Sequence, residues 1–182
     1  HEGSLVPVAG AAPWIHQAIE FGNRLLAFVV AAAAGLVLFA VIRAGRRKDI
    51  KTLAWISLIG VVVQAVIGGI SVRLDLRWWS VAVHFLPSMV LVFVAAMLYM
   101  RIAETDSAVP TRRYPGSAQT WTLIAAAALC LVLVTGTMVT GSGPHSGDAG
   151  VGMEGRLQMD TRVLAYVHSV CTVSYTHLTL PT

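Results

Sequence analysis

Ionisable side chains recur near one end of the apolar helices that the sequence predicts. Glu20 precedes the first apolar run, and His84 and His168 lie just inside two later ones. Ionisable groups at bilayer depth are costly, so they mark functional sites. A histidine that faces another helix inside a bundle is a candidate haem ligand. A common depth on separate helices indicates one site, or two related sites.

Four polar residues around the start of the first apolar run have helical spacing. His16, Glu20, Asn23 and Arg24 fall at positions i, i+4, i+7 and i+8, so they share one face of a helix. In one interpretation this face is a wet interfacial turn in which Glu20 pairs with Arg24. In the other, Glu20 accepts a proton beside a buried redox site, and Arg24 pairs with a carboxylate or a propionate. The spacing leaves both interpretations open.

The histidines are open to two interpretations as well. His84 stands among apolar residues, three positions before Pro87, and His168 lies in a similar setting. Each is either a neutral core imidazole that hydrogen-bonds a neighbouring carbonyl group or a metal ligand. Pro87 frees a backbone carbonyl and can kink the helix beside His84. His145 lies in a loop, where a solvated histidine is the simpler interpretation and a role at the mouth of a site is the alternative.

The elements that must position these residues are membrane helices. The chain is 56% hydrophobic and 12% charged, with a mean hydropathy of +0.72, which is typical of a membrane protein. A helix of roughly 20 apolar residues crosses about 30 Å of hydrocarbon. Four stretches reach this length: Leu25–Ile42, Leu53–Val72, Ser80–Met100 and Gln119–Thr140. A fifth helix begins near Arg162. We therefore predict an all-α, polytopic transmembrane helix bundle with four full helices and part of a fifth.

The distribution of basic residues predicts the orientation. Arginines and lysines concentrate in the loops 43–52 and 101–118, so the positive-inside rule places both loops in the cytoplasm. The N-terminus and the loops 73–79 and 141–162 then lie outside. His84 would lie roughly 8 Å below the outer interface. Polar groups near the outer face, rather than at mid-bilayer, argue against a transporter. The net charge of +4 is divided among loops, so no nucleic-acid partner is expected.

A weak internal repeat links the histidines. The segments 66–72 and 134–141 each end a predicted helix with small residues, and each is followed by an outer loop and a helix with a histidine near its head. Small residues permit close helix packing. The repeat indicates a duplicated bundle with haem sites between helices. Cys130 and Cys171 lie within helices, and we expect no disulfide between them.

Both ends of the sequence indicate a piece of a longer chain. His1 opens the chain in place of an initiator Met. The last ten residues, 173–182, interrupt the fifth apolar run and resemble a translated sequencing adapter. We exclude this tail, with its His177, from the fold prediction; a genuine polar loop is the alternative.

Five segments together resemble the haem A synthase family, CtaA, and its actinobacterial branch in particular. They are Glu-Gly-Ser-Leu-Val-Pro (2–7), Ile-Glu-Phe-Gly-Asn-Arg (19–24), Gln-Ala-Val-Ile-Gly-Gly (64–69), Val-Ala-Val-His-Phe-Leu (81–86) and Thr-Gly-Ser-Gly-Pro-His-Ser-Gly-Asp (140–148). The likeness extends from Glu2 to about Thr172. It implies eight transmembrane helices in two pseudo-symmetric halves, of which this chain carries helices two to five and part of six.

The resemblance implies a function and a division of the chain. Members oxidise the C8 methyl of haem O to a formyl group with oxygen from water, which makes haem A for cytochrome oxidase. Residues 1–104 would form the substrate-haem half without its first helix, and 105–118 a cytoplasmic linker. Residues 119–172 would begin the half that holds haem b. We expect the chain alone to be inactive.

The resemblance also assigns roles to individual residues. Glu20 matches the glutamate thought to be catalytic, and Arg24 matches an arginine beside the haem. His84 matches a ligand of the substrate-haem iron, and His168 a ligand of the haem b iron. Asn23 stands where many members have a histidine, and asparagine is a poor iron ligand. We therefore favour His84 as the sole protein ligand there; the alternatives are ligation by His16 or a water held by Asn23.

The expected partners follow from the same resemblance. They are the bilayer of the plasma membrane and haem O, which a haem O synthase would deliver. The electron acceptor and the oligomeric state, including a homo-oligomer, stay open. The alternative function is a non-catalytic, haem-binding cytochrome b that transfers electrons.

Overall fold

The structure is a computed structural model that describes residues 14–107, 115–143 and 155–180; the side chains of residues 14–17 and 20 lie outside the described part. All regular structure in these ranges is helical. In chain order the helices are α1 (Trp14–Arg43), α2 (Lys48–Arg73), α3 (Trp78–Ile102), α4 (Gly116–Ser142) and α5 (Thr161–Thr179). The prediction of an all-α fold is confirmed.

Four helices are long and apolar enough to cross a membrane. These segments are Phe21–Arg43, Lys48–Arg73, Trp78–Ile102 and Gly116–Ser142. Each contains one of the stretches predicted from the sequence. At most 11% of the most apolar part of any segment is buried within the chain. Most of their apolar side chains are therefore exposed in this chain, which suits a lipid environment rather than water. The chain is a polytopic membrane protein.

Local sequence explains where several helices begin. Arg47 and Pro115 are the residues just before α2 and α4. Both have an extended backbone, so each helix begins at the following residue. Asp160 caps α5, since its Oδ1 accepts a hydrogen bond from the backbone N–H of Arg162 at 2.7 Å. Pro87 lies inside α3 without ending the helix. The loops place α3 and α5 so that each carries a histidine within its first two or three turns.

Contacts divide the chain into two units, and each is described by itself. The first comprises the described residues of His1–Asp75 and Pro87–Ala108, and the second those of Leu76–Leu86 and Val109–Thr182. Contacts thus group the first turns of α3 with α4 and α5. These contact units differ from the substrate-haem half (1–104) and the haem b half (119–172) predicted from the resemblance. That division stays a prediction.

The core of the first unit lies where α1 ends and α2 begins. Leu38 and Val41 of α1, Ile50 and Ala54 of α2, and Leu98 of α3 form one buried cluster. Nearby, Arg46 donates from Nε to Asp106 at 2.8 Å and to the carbonyl oxygens of Ile102 and Glu104 at 3.0 and 2.7 Å. Arg47 pairs with Asp49 and Glu104. We call this network, formed by Arg46, Arg47, Asp49, Arg101, Glu104 and Asp106, the arginine clasp. It joins the α1–α2 loop to the end of α3.

In the second unit α5 packs along α4. The inward face of α5 is formed by buried or half-buried residues three or four positions apart: Leu164, His168, Cys171, Thr172 and Tyr175. The helix continues to Thr179, so the polar composition of the tail does not end it. A helix tolerates serine and threonine when their hydroxyls bond the carbonyl four residues earlier, as Thr176 does to Thr172 at 2.6 Å. The foreign origin of residues 173–182 stays a prediction.

Candidate functional site

His168 is seated directly on α4. Its Nδ1 lies 3.0 Å from the hydroxyl oxygen of Thr135. The next residue is Gly136, where an added Cβ would lie 3.2 Å from Cε1 of the His168 ring. The imidazole thus occupies space that any larger residue at position 136 would contest. We call the pair Thr135 and Gly136 the imidazole seat.

The end of α4 is capped by a buried arginine. Arg156 is 8% exposed. Its Nε donates to the carbonyl oxygen of Gly143 at 2.6 Å, and its Nη2 donates to that of Thr140 at 2.6 Å and also to Gly143. The last carbonyls of a helix lack partners within the helix and carry partial negative charge. A guanidinium at this end satisfies both needs at once.

The same segment also holds the start of α3. The N–H of Trp78 donates to the carbonyl of Gly155 at 3.2 Å, and that of Leu157 donates to Gly141 at 2.9 Å. A Cβ on Gly141 would lie 3.1 Å from Cβ of Trp78. Gly155 has a φ of +77° and would place a Cβ 3.3 Å from Arg77. Glycine is therefore required there by conformation as well as by space.

This anchoring fixes the depths of two histidines in one unit. His84 is half-buried on α3, six residues or about 9 Å along the axis from Trp78. His168 is half-buried on α5, seven residues or about 10 Å from Thr161. Both rings therefore lie in the second or third turn of helices whose starts are held by the segment 155–160.

The polar face predicted on α1 belongs to the other unit. Asn23 is exposed and Arg24 is half-buried. Glu20 lies on the same helix three and four residues before them, so the predicted spacing on one helical face holds for the backbone. The side chains of Glu20 and His16 lie outside the described part, as does all of His145. The grouping of Glu20, Asn23 and Arg24 with His84 stays a prediction.

Sequence reasoning missed three of these features. Thr135 and Gly136 enter the sequence analysis only within the small-residue segment 134–141 that ends a predicted helix. Arg156 enters it only as part of the loop 141–162 that was predicted to lie outside. Gln64, an amide inside an apolar helix, is 8% exposed, and its Oε1 has no hydrogen-bond partner in the part of the chain that the structure describes. Within that part, no group of three His, Cys, Asp or Glu side chains is arranged to hold a metal ion.

Comparisons with known proteins identify the family. A family model described as COX15-CtaA, cytochrome oxidase assembly protein, matches residues 11–179. No curated protein and no solved structure matches the chain. The matched range contains all five helices and all the histidines of the candidate site, and it confirms the resemblance stated from the motifs. This chain belongs to the COX15-CtaA family of cytochrome oxidase assembly proteins.

Proposed function

We propose that this protein is a haem A synthase, a membrane oxidoreductase that oxidises the C8 methyl of haem O to a formyl group. Membership of the cytochrome oxidase assembly family supports a role in making haem A for cytochrome oxidase. The observation that carries a haem-dependent reaction is the seating of His168 against Thr135 and Gly136. Imidazoles that bind metals commonly use one ring nitrogen for the metal and the other for a hydrogen bond that fixes the ring.

The residues present fit a haem at His168. The ring is half-buried in the contact between α4 and α5, and the space between helices is where bundles carry such cofactors. Its Nδ1 is engaged by Thr135, which leaves Nε2 as the nitrogen for an iron. We assign His168 to haem b and His84, at a matching depth on α3, to the iron of the substrate haem. When bound, haem iron supplies the redox chemistry that removes electrons from the methyl group.

The protein's own residues then have distinct tasks. Conversion of a methyl to a formyl group with water releases protons as well as electrons, so a base is required near the methyl. Glu20 is the proposed proton acceptor. Arg24, one helical turn away, pairs with a haem propionate, because a guanidinium binds a carboxylate through two hydrogen bonds. Because asparagine is a poor iron ligand, Asn23 contributes at the substrate haem through hydrogen bonds of its side-chain amide rather than by binding the iron. An external electron acceptor takes up the electrons.

The catalytic role of Glu20 is tested with Glu20→Gln. The protein, expressed from its native gene in a host that makes haem O but lacks haem A, should produce haem A; the variant should accumulate haem O. Haem extraction and chromatography measure both, while the reduced-minus-oxidised spectrum reports retained haem b. Glu104→Gln, which removes a carboxylate at the other end of the first unit, is the control. Haem A formation by Glu20→Gln at the wild-type rate would exclude Glu20 as the base.

The seating of His168 also fits a second function, a haem-binding cytochrome b that transfers electrons without modifying haem. The two functions share the haem b spectrum and differ in the product. A wild-type protein that binds haem b in such a host and leaves all haem O unmodified would support the electron-transfer function. Haem A in the extract supports the synthase.

The setting of this reaction is also a proposal. We place the protein in the plasma membrane, with the loops 43–52 and 101–118 in the cytoplasm. The haem sites then lie near the outer face, and haem O reaches them from the bilayer after delivery by a haem O synthase. Single cysteines introduced in the loop 43–52, in a variant without Cys130 and Cys171, should react with a membrane-impermeant maleimide only after the cells are lysed.

A further inference from the structure

We propose that the imidazole seat, Thr135 and Gly136, positions His168 as an Nε2 ligand: the Thr135 hydroxyl oxygen accepts a hydrogen bond from Nδ1–H, and Gly136 leaves room for the ring. This proposal rests on the proposed binding of haem b by His168. Neither residue of the seat touches the iron, so both are positioning residues. The tautomer and the orientation of the ligand thereby depend on a hydroxyl from the facing helix.

The backbone of α4 determines the direction of the hydrogen bond between Thr135 and His168. The Thr135 hydroxyl lies 2.8 Å from the carbonyl oxygen of Leu131, one turn earlier on its own helix, and 3.2 Å from that of Val132. A threonine hydroxyl has one proton and two lone pairs. When it donates to the Leu131 carbonyl, it faces Nδ1 as an acceptor. The Nδ1 of His168 then carries the proton.

The opposite arrangement leaves a proton without a partner. If Thr135 donated to Nδ1, a neutral ring would carry its proton on Nε2, and no described residue accepts a hydrogen bond from Nε2. We therefore assign the Nδ1–H tautomer, in which both protons of the pair have acceptors. This tautomer presents the Nε2 lone pair, which is the group that an iron binds.

Gly136 leaves space beside α4 for the His168 ring. A Cβ at this position would lie 3.2 Å from Cε1, 3.7 Å from Nδ1 and 3.8 Å from Nε2 of His168. The Nδ1–Cε1–Nε2 edge of the ring therefore lies along α4 at the glycine. Any side chain at position 136 pushes this edge away from α4. The displacement also moves Nδ1 away from the Thr135 hydroxyl and weakens the hydrogen bond between them. Glycine and threonine thus act together on one ring.

The internal repeat shows that the hydroxyl belongs to one half of the chain. The tip of α2, Val66-Ile67-Gly68, corresponds to Val134-Thr135-Gly136 at the tip of α4. Ile67 therefore stands where Thr135 would be, and isoleucine offers no acceptor. The seat is a property of the half to which we assign the resident haem b. It is not a general property of the small-residue tips.

The experiment removes the hydroxyl in the full protein purified from membranes. Thr135→Val keeps the shape of the side chain, Thr135→Ser keeps the hydroxyl, and Thr137→Val is the matched control. Thr137 lies on the same helix two residues away, and its hydroxyl bonds the carbonyl of Val134 at 2.7 Å. Loss of an outer partner typically lowers metal affinity about 10- to 100-fold. We expect that loss of haem b affinity in Thr135→Val, with altered g values of the ferric haem in electron paramagnetic resonance.

The controls should separate the seat from a general loss of structure. Thr135→Ser and Thr137→Val should keep wild-type haem b occupancy and spectra, and Gly136→Ala should resemble Thr135→Val. Thr135→Val with wild-type affinity and unchanged g values would overturn the proposal. His168→Ala tests the underlying assignment: if it retains haem b, or if the wild-type protein binds none, the proposed function fails before the seat is at issue.

A second measurement tests the hydrogen bond itself. In His168→Gly, free imidazole can replace the missing ring, and its N–H can donate to Thr135, whereas 1-methylimidazole has no N–H to donate. Imidazole should therefore restore the haem b spectrum at a concentration about 10-fold lower than 1-methylimidazole, in line with the loss of one outer partner. In the double variant His168→Gly, Thr135→Val this preference should vanish. Equal potency of the two ligands in the single variant would contradict the proposal.

Discussion

Arg156 donates from Nε to the carbonyl oxygen of Gly143 across 2.6 Å, and this single side chain closes the end of α4. The same guanidinium reaches Thr140, one turn earlier. The neighbouring Gly155 and Leu157 bond to Trp78 and Gly141. The segment 155–160, in which Asp160 caps α5, thus holds three helix ends together. The depths of His84 and His168 depend on this segment.

The first prediction concerns Arg156. Replacement by methionine keeps much of the volume but removes the donors, so the carbonyls of Thr140 and Gly143 lose charged partners worth about 1.5–3 kcal/mol each. We expect a lower midpoint of thermal unfolding in detergent, followed by circular dichroism. Arg162→Met removes an exposed arginine from the start of α5 and is the control. Equal midpoints for the two variants would show that Arg156 does not hold the helix end.

The second prediction concerns Gly141. Alanine there would place a Cβ 3.1 Å from Cβ of Trp78, a contact that the rigid start of α3 cannot relieve by a side-chain rotation. Overpacking of this kind costs about 1–3 kcal/mol. Gly35→Ala is the matched control, because nothing lies within 4 Å of the added Cβ. That variant should be neutral or more stable by about 0.5–1 kcal/mol. A thermal unfolding series on both variants decides; a stable Gly141→Ala would contradict the close contact.

The third prediction concerns pH and the arginine clasp. The hydrogen bond from Arg47 lowers the pKa of Glu104 from its ordinary value, so the folded chain binds that proton less readily than the unfolded chain. The contribution of the pair is fully present above the ordinary pKa of about 4.3. It is lost as the pH falls through the lowered pKa. The effect is small, because the Glu104 side chain is exposed and solvent screens the pair.

The measurement is the unfolding midpoint across this acid range. It should fall with decreasing pH in the wild-type chain and fall less steeply in Glu104→Gln, which has no proton to gain at this site. Asp75→Asn, at the opposite end of α2, removes an exposed carboxylate outside the clasp and should keep the wild-type slope. High salt should reduce the difference between the wild-type chain and Glu104→Gln. Identical slopes at low salt would remove the clasp from the pH response.

The membrane helices could be predicted because hydropathy is summed over many residues. Each predicted stretch lies inside an observed helix, but the observed ends extend beyond it; α4, for example, begins at Gly116 rather than Gln119. Helix ends continue past the hydrocarbon boundary, where caps and turns decide them. Pro115 and Asp160 provide such local signals. Hydropathy does not register them.

The site was predicted in part for a similar reason. The residue types and depths of His84 and His168 follow from one chain position each. The contact between His168 and Thr135 joins residues 33 positions apart, and nothing in the periodicity of α4 indicates which of its faces receives α5. Small residues mark a close approach without naming the side chain that fills it. The role of Arg156 depends in the same way on contacts with residues 13 and 16 positions earlier in the chain.

The arginine clasp has a consequence for the order of assembly. The turn after α1 closes through local bonds, such as Gly45 to Ile42 at 3.0 Å. The partners that Arg46 finds near the end of α3 are 56 to 60 residues further along the chain. At a synthesis rate of ~5–20 residues per second, this gap corresponds to about 3–12 s. For that interval α1 and α2 pair while Arg46 lacks its partners at the end of α3 and Arg47 has only Asp49, and the arrival of the α3 terminus completes the first unit.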